Sequence, residues 1–184
     1  NSHYTHLPIP HIPAQNASTA LQVIEILDLQ LDNSQMQQVF KQTNLPGRRQ
    51  VVQTDPRVIL DVAHNPQATN LLALDIKNMQ HKRVIAVVAM LEDKDIDATL
   101  APMLSVVSNW HCASLDVPRG AQSSSLVSAV LSNKQKVLDY DSVESAYKSA
   151  LEKADKDDLL IVFGSFFTVA KVLEMGLLTP KIKV

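Results

Sequence analysis

The segment that decides the fold reads Val58-Ile59-Leu60-Asp61-Val62-Ala63-His64-Asn65-Pro66-Gln67-Ala68-Thr69. An apolar run, typical of a buried strand, ends in a carboxylate, and a helical pattern begins a few residues later. Asn65 suits the N-cap of that helix, and Pro66 suits its first turn, where a missing N–H costs nothing. Ligands of open α/β sheets bind at the carboxyl ends of strands, and the free N–H groups of a helix start can hold an anion. The segment therefore predicts a strand, a ligand-binding loop and a helix.

Strands and helices alternate regularly from this segment onward. The predicted strands cover residues 49–53, 57–62, 83–90, 110–115, 137–138 and 158–163, and the predicted helices cover residues 67–79, 93–108, 123–131, 142–154 and 166–175. Pro102 can interrupt the helix predicted over 93–108. Residues 84–89 are apolar throughout, as in strands of a parallel sheet. The pattern predicts an α/β fold, with a mostly parallel sheet and helices on both faces.

The first 46 residues have a different character. Their apolar spacing predicts two helices, over 16–29 and 34–41, and Pro46-Gly47 ends the second of them. We therefore predict a domain boundary here, with a short helical region over 1–46 and the α/β domain over 47–184.

Composition and charge exclude several function classes. The chain of 184 residues is 46% apolar and carries a net charge of −2, so it has no basic field for nucleic acid. Its apolar runs are far too short to span a bilayer. A single cysteine, Cys112, forms no internal disulfide, and no pair of histidines has helical metal-ligand spacing next to acidic residues, which argues against zinc. We expect a cytoplasmic monomer that binds neither nucleic acid nor membrane and supplies no metal site.

Polar residues that directly follow the predicted strands are the candidates for a functional site. Asp61 is the strongest, because a carboxylate that closes an apolar strand is costly unless it is paired or useful. His64 can contact a phosphate or carboxylate, although a lone histidine is more often structural. Lys94 lies between two aspartates, which also fits a solvated helix start. Ser165 either binds an anion together with Gly164 or caps the next helix.

Three common signatures of nucleotide-binding proteins and serine hydrolases are missing from the sequence. Neither a Walker A pattern nor a G-x-G-x-x-G pattern occurs, and the chain has only 4 glycines. Phe163 and Phe167 stand where a G-x-S-x-G elbow around Ser165 would need glycine, which argues against a serine hydrolase. If the protein handles nucleotide phosphates, we expect their cradle to lie elsewhere.

A series of motifs in this order resembles one enzyme family, the folylpolyglutamate synthases and bifunctional dihydrofolate synthases, which are similar to the Mur peptidoglycan ligases. The motifs are Pro13-Ala14-Gln15-Asn16-Ala17, Leu45-Pro46-Gly47-Arg48, Asp61-Val62-Ala63-His64-Asn65-Pro66, Met90-Leu91-Glu92-Asp93-Lys94-Asp95-Ile96, Pro118-Arg119-Gly120-Ala121 and Phe163-Gly164-Ser165-Phe166. The resemblance covers nearly the whole chain. It implies that residues 1–46 are the tail and hinge of a central ATPase domain, and that 47–184 form a Rossmann-like C-terminal ligase domain.

The resemblance also implies a reaction. Such enzymes use ATP to phosphorylate a carboxylate, and the amine of L-glutamate then attacks the acyl phosphate. The acceptors are dihydropteroate or tetrahydrofolate species, and magnesium is needed, with its ligands expected in an N-terminal part of the enzyme that this sequence lacks. Because no P-loop is present, we expect this chain alone to fold without hydrolysing ATP.

Site residues follow from the same resemblance. Asn16, Arg48 and Asp61 would contact ATP. His64 and Lys94 would be catalytic, near the transferred phosphate, and His64 and Ser165 would bind glutamate. Two alternatives remain open: a Mur-type ligase acting on a peptidoglycan precursor, and a Rossmann-like binding domain without catalysis. We also expect His64 and Ser165 to approach each other at neighbouring strand ends.

Overall fold

A computed structural model describes residues 4–8 and 12–176, and the chain divides into two compact units, Asn1–Gln50 and Val51–Val184. The first unit contains helices α1 (Ala14–Ile26) and α2 (Asn33–Gln42). Asp32 and Gln35 begin α2 with a reciprocal capping box. Two helices are thus present close to the predicted ranges. The assignment of this region to an ATPase domain stays a prediction.

The second unit is built on a six-stranded sheet. Its first strand, β1, begins at the boundary between the two units. Its elements in chain order are β1 (Gln50–Thr54), β2 (Arg57–Leu60), α3 (Pro66–Lys77), β3 (Val84–Val88), α4 (Ile96–Leu100), a 3₁₀ helix (Ala101–Ser105), β4 (Asn109–Ala113), α5 (Ser123–Ser132), β5 (Lys136–Tyr140), α6 (Val143–Lys153), β6 (Leu159–Phe163) and α7 (Phe166–Glu174).

The strand order across the sheet is β1-β2-β6-β3-β4-β5. All neighbours from β2 to β5 pair in parallel, and β6 lies between β2 and β3, with Val162 opposite Leu60 on one side and Val87 on the other. Only Asp55 and Pro56 join β1 to β2, a connection that antiparallel neighbours alone allow. The predicted α/β class with a mostly parallel sheet is confirmed.

Helices cover both faces of this sheet, as predicted. Alternate residues of β6 point to opposite sides, so that Ile161 belongs to one core cluster and Val162 to the other. Helices α3, α4 and α5 pack on the first face, around the buried Trp110. Helices α6 and α7 pack on the second face, where Tyr147 is fully buried.

Two elements differ from the sequence-based expectation. The helix predicted over 93–108 is a short helix, α4, followed by a 3₁₀ helix that contains Pro102. Proline lacks an N–H to continue the α-helical ladder, and Asp95 caps α4, so that Lys94 lies in the turn before the helix. Strand β5 is longer than predicted. No helix of the described residues is long and apolar enough to cross a membrane.

Candidate functional site

The sheet topology opens a crevice at the carboxyl end of β6. The helices that follow β2 and β3 pack on one face of the sheet, whereas α7, which follows β6, packs on the other. A crevice forms where the connections after neighbouring strands lead to opposite faces of the sheet. Ligands of open α/β sheets usually bind in this crevice. Here it is bordered by residues 61–65, 89–95 and 164–165.

Gly164 joins the three strand ends around this crevice. Its N–H donates to the carbonyl oxygen of Ala63 at 2.9 Å. Its φ is +115°, and a Cβ at this position would lie 2.4 Å from the carbonyl oxygen of Ala89. Only glycine fits such a close backbone approach at a positive φ. The end of β6 is therefore held tightly between the ends of β2 and β3.

Ser165 is buried and is the N-cap of α7. Its Oγ accepts the N–H of Thr168 at 2.9 Å and lies 2.7 Å from Thr168 Oγ1. The Thr168 hydroxyl donates to the carbonyl of Ala89 at 2.7 Å, so the Ser165 hydroxyl donates to Thr168. Its proton and one lone pair are thus engaged in the fold. This leaves Ser165 a lone pair that can accept from an ammonium group, rather than a proton for an anion.

His64 is half-exposed and has a defined orientation. Its Nδ1 lies 2.8 Å from the carbonyl oxygen of Val62, and because a carbonyl only accepts, Nδ1 carries a proton. In a neutral imidazole, Nε2 is then the acceptor. The ring of Phe166, the first residue of α7, lies 6.1 Å from the imidazole between centroids. Nε2 is therefore the ring nitrogen that can accept a hydrogen bond from a bound group.

Asp61 is buried at the end of β2, with a relative exposure of 7%. Its Oδ1 accepts the N–H of Ala63 at 2.8 Å, and its own N–H continues the parallel ladder to Val162 at 2.9 Å. The carboxylate thus stabilises the turn that leads to His64. Asn65 accepts the N–H of Ala68 and, with Pro66, begins α3 as the sequence predicts.

Lys94 lies in the turn after β3, in a small group of charged side chains. Its Nζ is 3.9 Å from Asp93 Oδ2, and Arg119 approaches the same oxygen at 3.2 Å. A backbone bridge between Leu91 and Gly120 connects the two loops. All three charges are partly exposed, so these ion pairs contribute little stability.

The structure thus brings some predicted site residues together. Asp61, His64 and Ser165 lie at the ends of the adjacent strands β2 and β6, and the expected approach of His64 and Ser165 is confirmed, because the residues before them are hydrogen-bonded to each other. Lys94 follows β3 at the same edge. Asn16 and Arg48 lie in the first unit, Asn16 exposed in the first turn of α1 and Arg48 in the turn after Gly47.

Sequence reasoning missed Phe166 as a member of this site. An aromatic residue at the first position of a helix, directly after a Gly-Ser turn, was the available signal. Within residues 4–8 and 12–176, no group of three or more His, Cys, Asp or Glu side chains is arranged to hold a metal ion.

Comparisons with known proteins agree on one family. The family "Mur ligase, glutamate ligase domain" matches residues 47–166. The dihydrofolate synthase/folylpolyglutamate synthase of Escherichia coli is 42% identical over 171 residues, which are 92% of this chain and 40% of that protein. The chain therefore spans about 40% of the length of this relative.

Solved structures give the same result. The structure of E. coli FolC in complex with DHPP and ADP superimposes with a TM-score of 0.87 at 41% identity, over 93% of this chain and 41% of that one. A bifunctional folylpolyglutamate synthase/dihydrofolate synthase with Mn, AMPPNP and L-glutamate bound has a TM-score of 0.86 at 41% identity, over 95% of this chain and 42% of that one. The chain belongs to the Mur ligase family, whose glutamate ligase domain it contains.

Proposed function

We propose that this chain is the C-terminal part of an ATP-dependent ligase that adds L-glutamate to dihydropteroate, to reduced folates or to both, through an acyl-phosphate intermediate. The observation that carries the proposal is the crevice at the end of β6, where His64 and Ser165 lie side by side in a Mur ligase domain. The activities named for the E. coli relative, and the glutamate-bound structure, support this choice of substrates.

His64 has the orientation that a general base needs. The carbonyl of Val62 holds a proton on Nδ1, so Nε2 of the neutral ring accepts a proton from the ammonium group of glutamate. The freed amine then attacks the acyl carbon, an N–C bond forms, the C–O bond to the phosphate breaks, and the second proton that the nitrogen loses on becoming an amide leaves with the phosphate. Ser165 Oγ accepts a hydrogen bond from the same ammonium, and Lys94 adds positive charge near the leaving phosphate.

We propose that Asn16, Arg48 and Asp61 contact the nucleotide. ATP supplies the phosphoryl group that activates the acceptor carboxylate. Arg48 suits the phosphates, Asn16 the base or sugar, and the Asp61 carboxylate, anchored by Ala63, suits ribose hydroxyls.

We propose that the magnesium ligands lie in the N-terminal part of the ligase; among the described residues, no three acidic, cysteine or histidine side chains converge. We place the reaction in the cytoplasm, consistent with the free thiol of Cys112.

The experiment is a steady-state analysis of the complete ligase that contains these residues. His64→Ala and Ser165→Ala should impair glutamate use, through kcat or the KM for glutamate, and leave the KM for ATP nearly unchanged. Ser165→Ala also removes a helix cap, at a cost of about 1 kcal/mol. Ser142→Ala is the matched control, because Ser142 caps α6 in the same way.

Three results would contradict the proposed function. Normal glutamate kinetics in both site variants would refute the assignment of the crevice. Ligation only to a nucleotide-linked peptidoglycan precursor would support the Mur-type alternative instead. Nucleotide binding without any ligation, in the presence of glutamate and each acceptor, would favour a binding domain.

A further inference from the structure

Phe166 has a position that core packing does not explain. It is 59% exposed, and Phe167 beside it is 46% exposed, while α7 is buried through Thr168, Val169 and Val172. The Phe166 ring contacts the imidazole of His64, with centroids 6.1 Å apart and planes inclined at 49°. This separation is within the range of a favourable aromatic pair.

The backbone holds these two rings in a defined relation. Gly164 donates to the carbonyl of Ala63, so the residue before His64 and the residue two before Phe166 are directly linked. Ser165 then begins α7 with its cap to Thr168, which places Phe166 at the first helical position. Neither ring therefore depends on a long loop for its placement.

His64 needs such a second contact. The bond from Nδ1 to the carbonyl of Val62 fixes one edge of the imidazole but leaves the ring free to tilt about that bond. A ring packed against the imidazole removes this freedom at little cost in entropy, because phenylalanine has only two side-chain torsions. A base that is held in this way is better oriented for proton transfer.

We propose that Phe166 is a positioning residue for glutamate addition: its ring holds the imidazole of His64 so that Nε2 stays directed at the amine of the incoming amino acid. This inference rests on the proposed function, in which His64 is the base. The exposed phenylalanine at the start of α7 then serves glutamate addition, not nucleotide binding or folding.

The kinetic test uses the complete ligase with five variants. Phe166→Leu should lower kcat/KM for glutamate by about threefold to tenfold, the factor expected for the loss of one aromatic pair, with the KM for ATP unchanged. Phe166→Tyr keeps the ring and should restore the activity. Phe167→Leu, at the neighbouring exposed ring, should have no effect. In a His64→Ala background, Phe166→Leu should cause no further loss, because its effect passes through His64.

A second measurement separates this inference from the proposed function. Nitrogen-edited NMR of the imidazole in the 184-residue chain reports which ring nitrogen of His64 carries the proton. Phe166→Leu should increase the share of the tautomer protonated at Nε2, and Phe167→Leu should not. Unchanged imidazole signals in Phe166→Leu, or additive losses in the double variant, would overturn the positioning role. Normal glutamate kinetics in the single variant His64→Ala, with altered imidazole signals in Phe166→Leu, would instead overturn the role of His64 as the base in the proposed function.

Discussion

Gly164→Ala tests whether the end of β6 is as closely packed as the structure indicates. The new methyl group would lie 2.4 Å from the carbonyl oxygen of Ala89 and 3.0 Å from Cγ of Met90, so backbone must move. A side chain at positive φ costs about 1–2 kcal/mol. Overpacking against a fixed neighbour adds about 1–3 kcal/mol. We therefore expect the free energy of unfolding to fall by about 2–5 kcal/mol.

Urea denaturation followed by fluorescence is a suitable assay, because the single tryptophan, Trp110, packs 6.3 Å from Phe163 in the same core. Gly176→Ala is the matched control: φ there is +64°, but no atom of the described residues lies within 4 Å of the added methyl group. It should cost only the backbone term, about 1–2 kcal/mol. Equal losses of stability in the two variants would refute the argument from close approach at Gly164.

Three further predictions concern the nucleotide contacts, the pH dependence of stability and the activity of the purified chain. In the complete ligase, Asp61→Ala and Arg48→Ala should each raise the KM for ATP or lower turnover, by an amount equivalent to about 1.5–3 kcal/mol; unchanged kinetics in both folded variants would remove these residues from the site. Burial, with a smaller contribution from the charge of Lys153, lowers the pKa of His111 to about 4. The unfolded chain takes up this proton near pH 6.5, so stability should fall by up to about 3 kcal/mol as the pH drops from 6.5 to 4, and His111→Phe should flatten that part of the pH profile of unfolding. The purified 184-residue chain should fold but neither hydrolyse ATP nor ligate glutamate, and detectable turnover of either kind would contradict this.

Local sequence was sufficient to predict the strand and the helix that border the site. The apolar run before Asp61, followed by Asn65 and Pro66, predicted a strand end and a capped helix, and both are present. These features depend on neighbouring residues alone, through side-chain alternation and capping. They also placed the candidate polar groups at strand ends, where the crevice lies.

Features that depend on long-range packing were not predictable in the same way. The position of β6 between two earlier strands follows from how the complete sheet packs, and no local pattern encodes it. The direction of the hydrogen bond from the Ser165 hydroxyl is set by Thr168, which donates to the carbonyl of Ala89, 79 positions away in sequence. The contact of Phe166 with His64 likewise requires two strand ends to meet first.

The insertion of β6 between β2 and β3 also bears on how the domain is synthesised. As the chain emerges from a ribosome, β2 to β5 appear well before β6, so the two strands that flank the gap must wait for a late segment. Contacts so distant along the chain close slowly, and the exposed edges of β2 and β3 can pair wrongly in the meantime. Translation arrest before Leu159 should therefore leave a nascent chain that engages chaperones and lacks protease resistance, whereas a chain extended past α7 can complete the sheet.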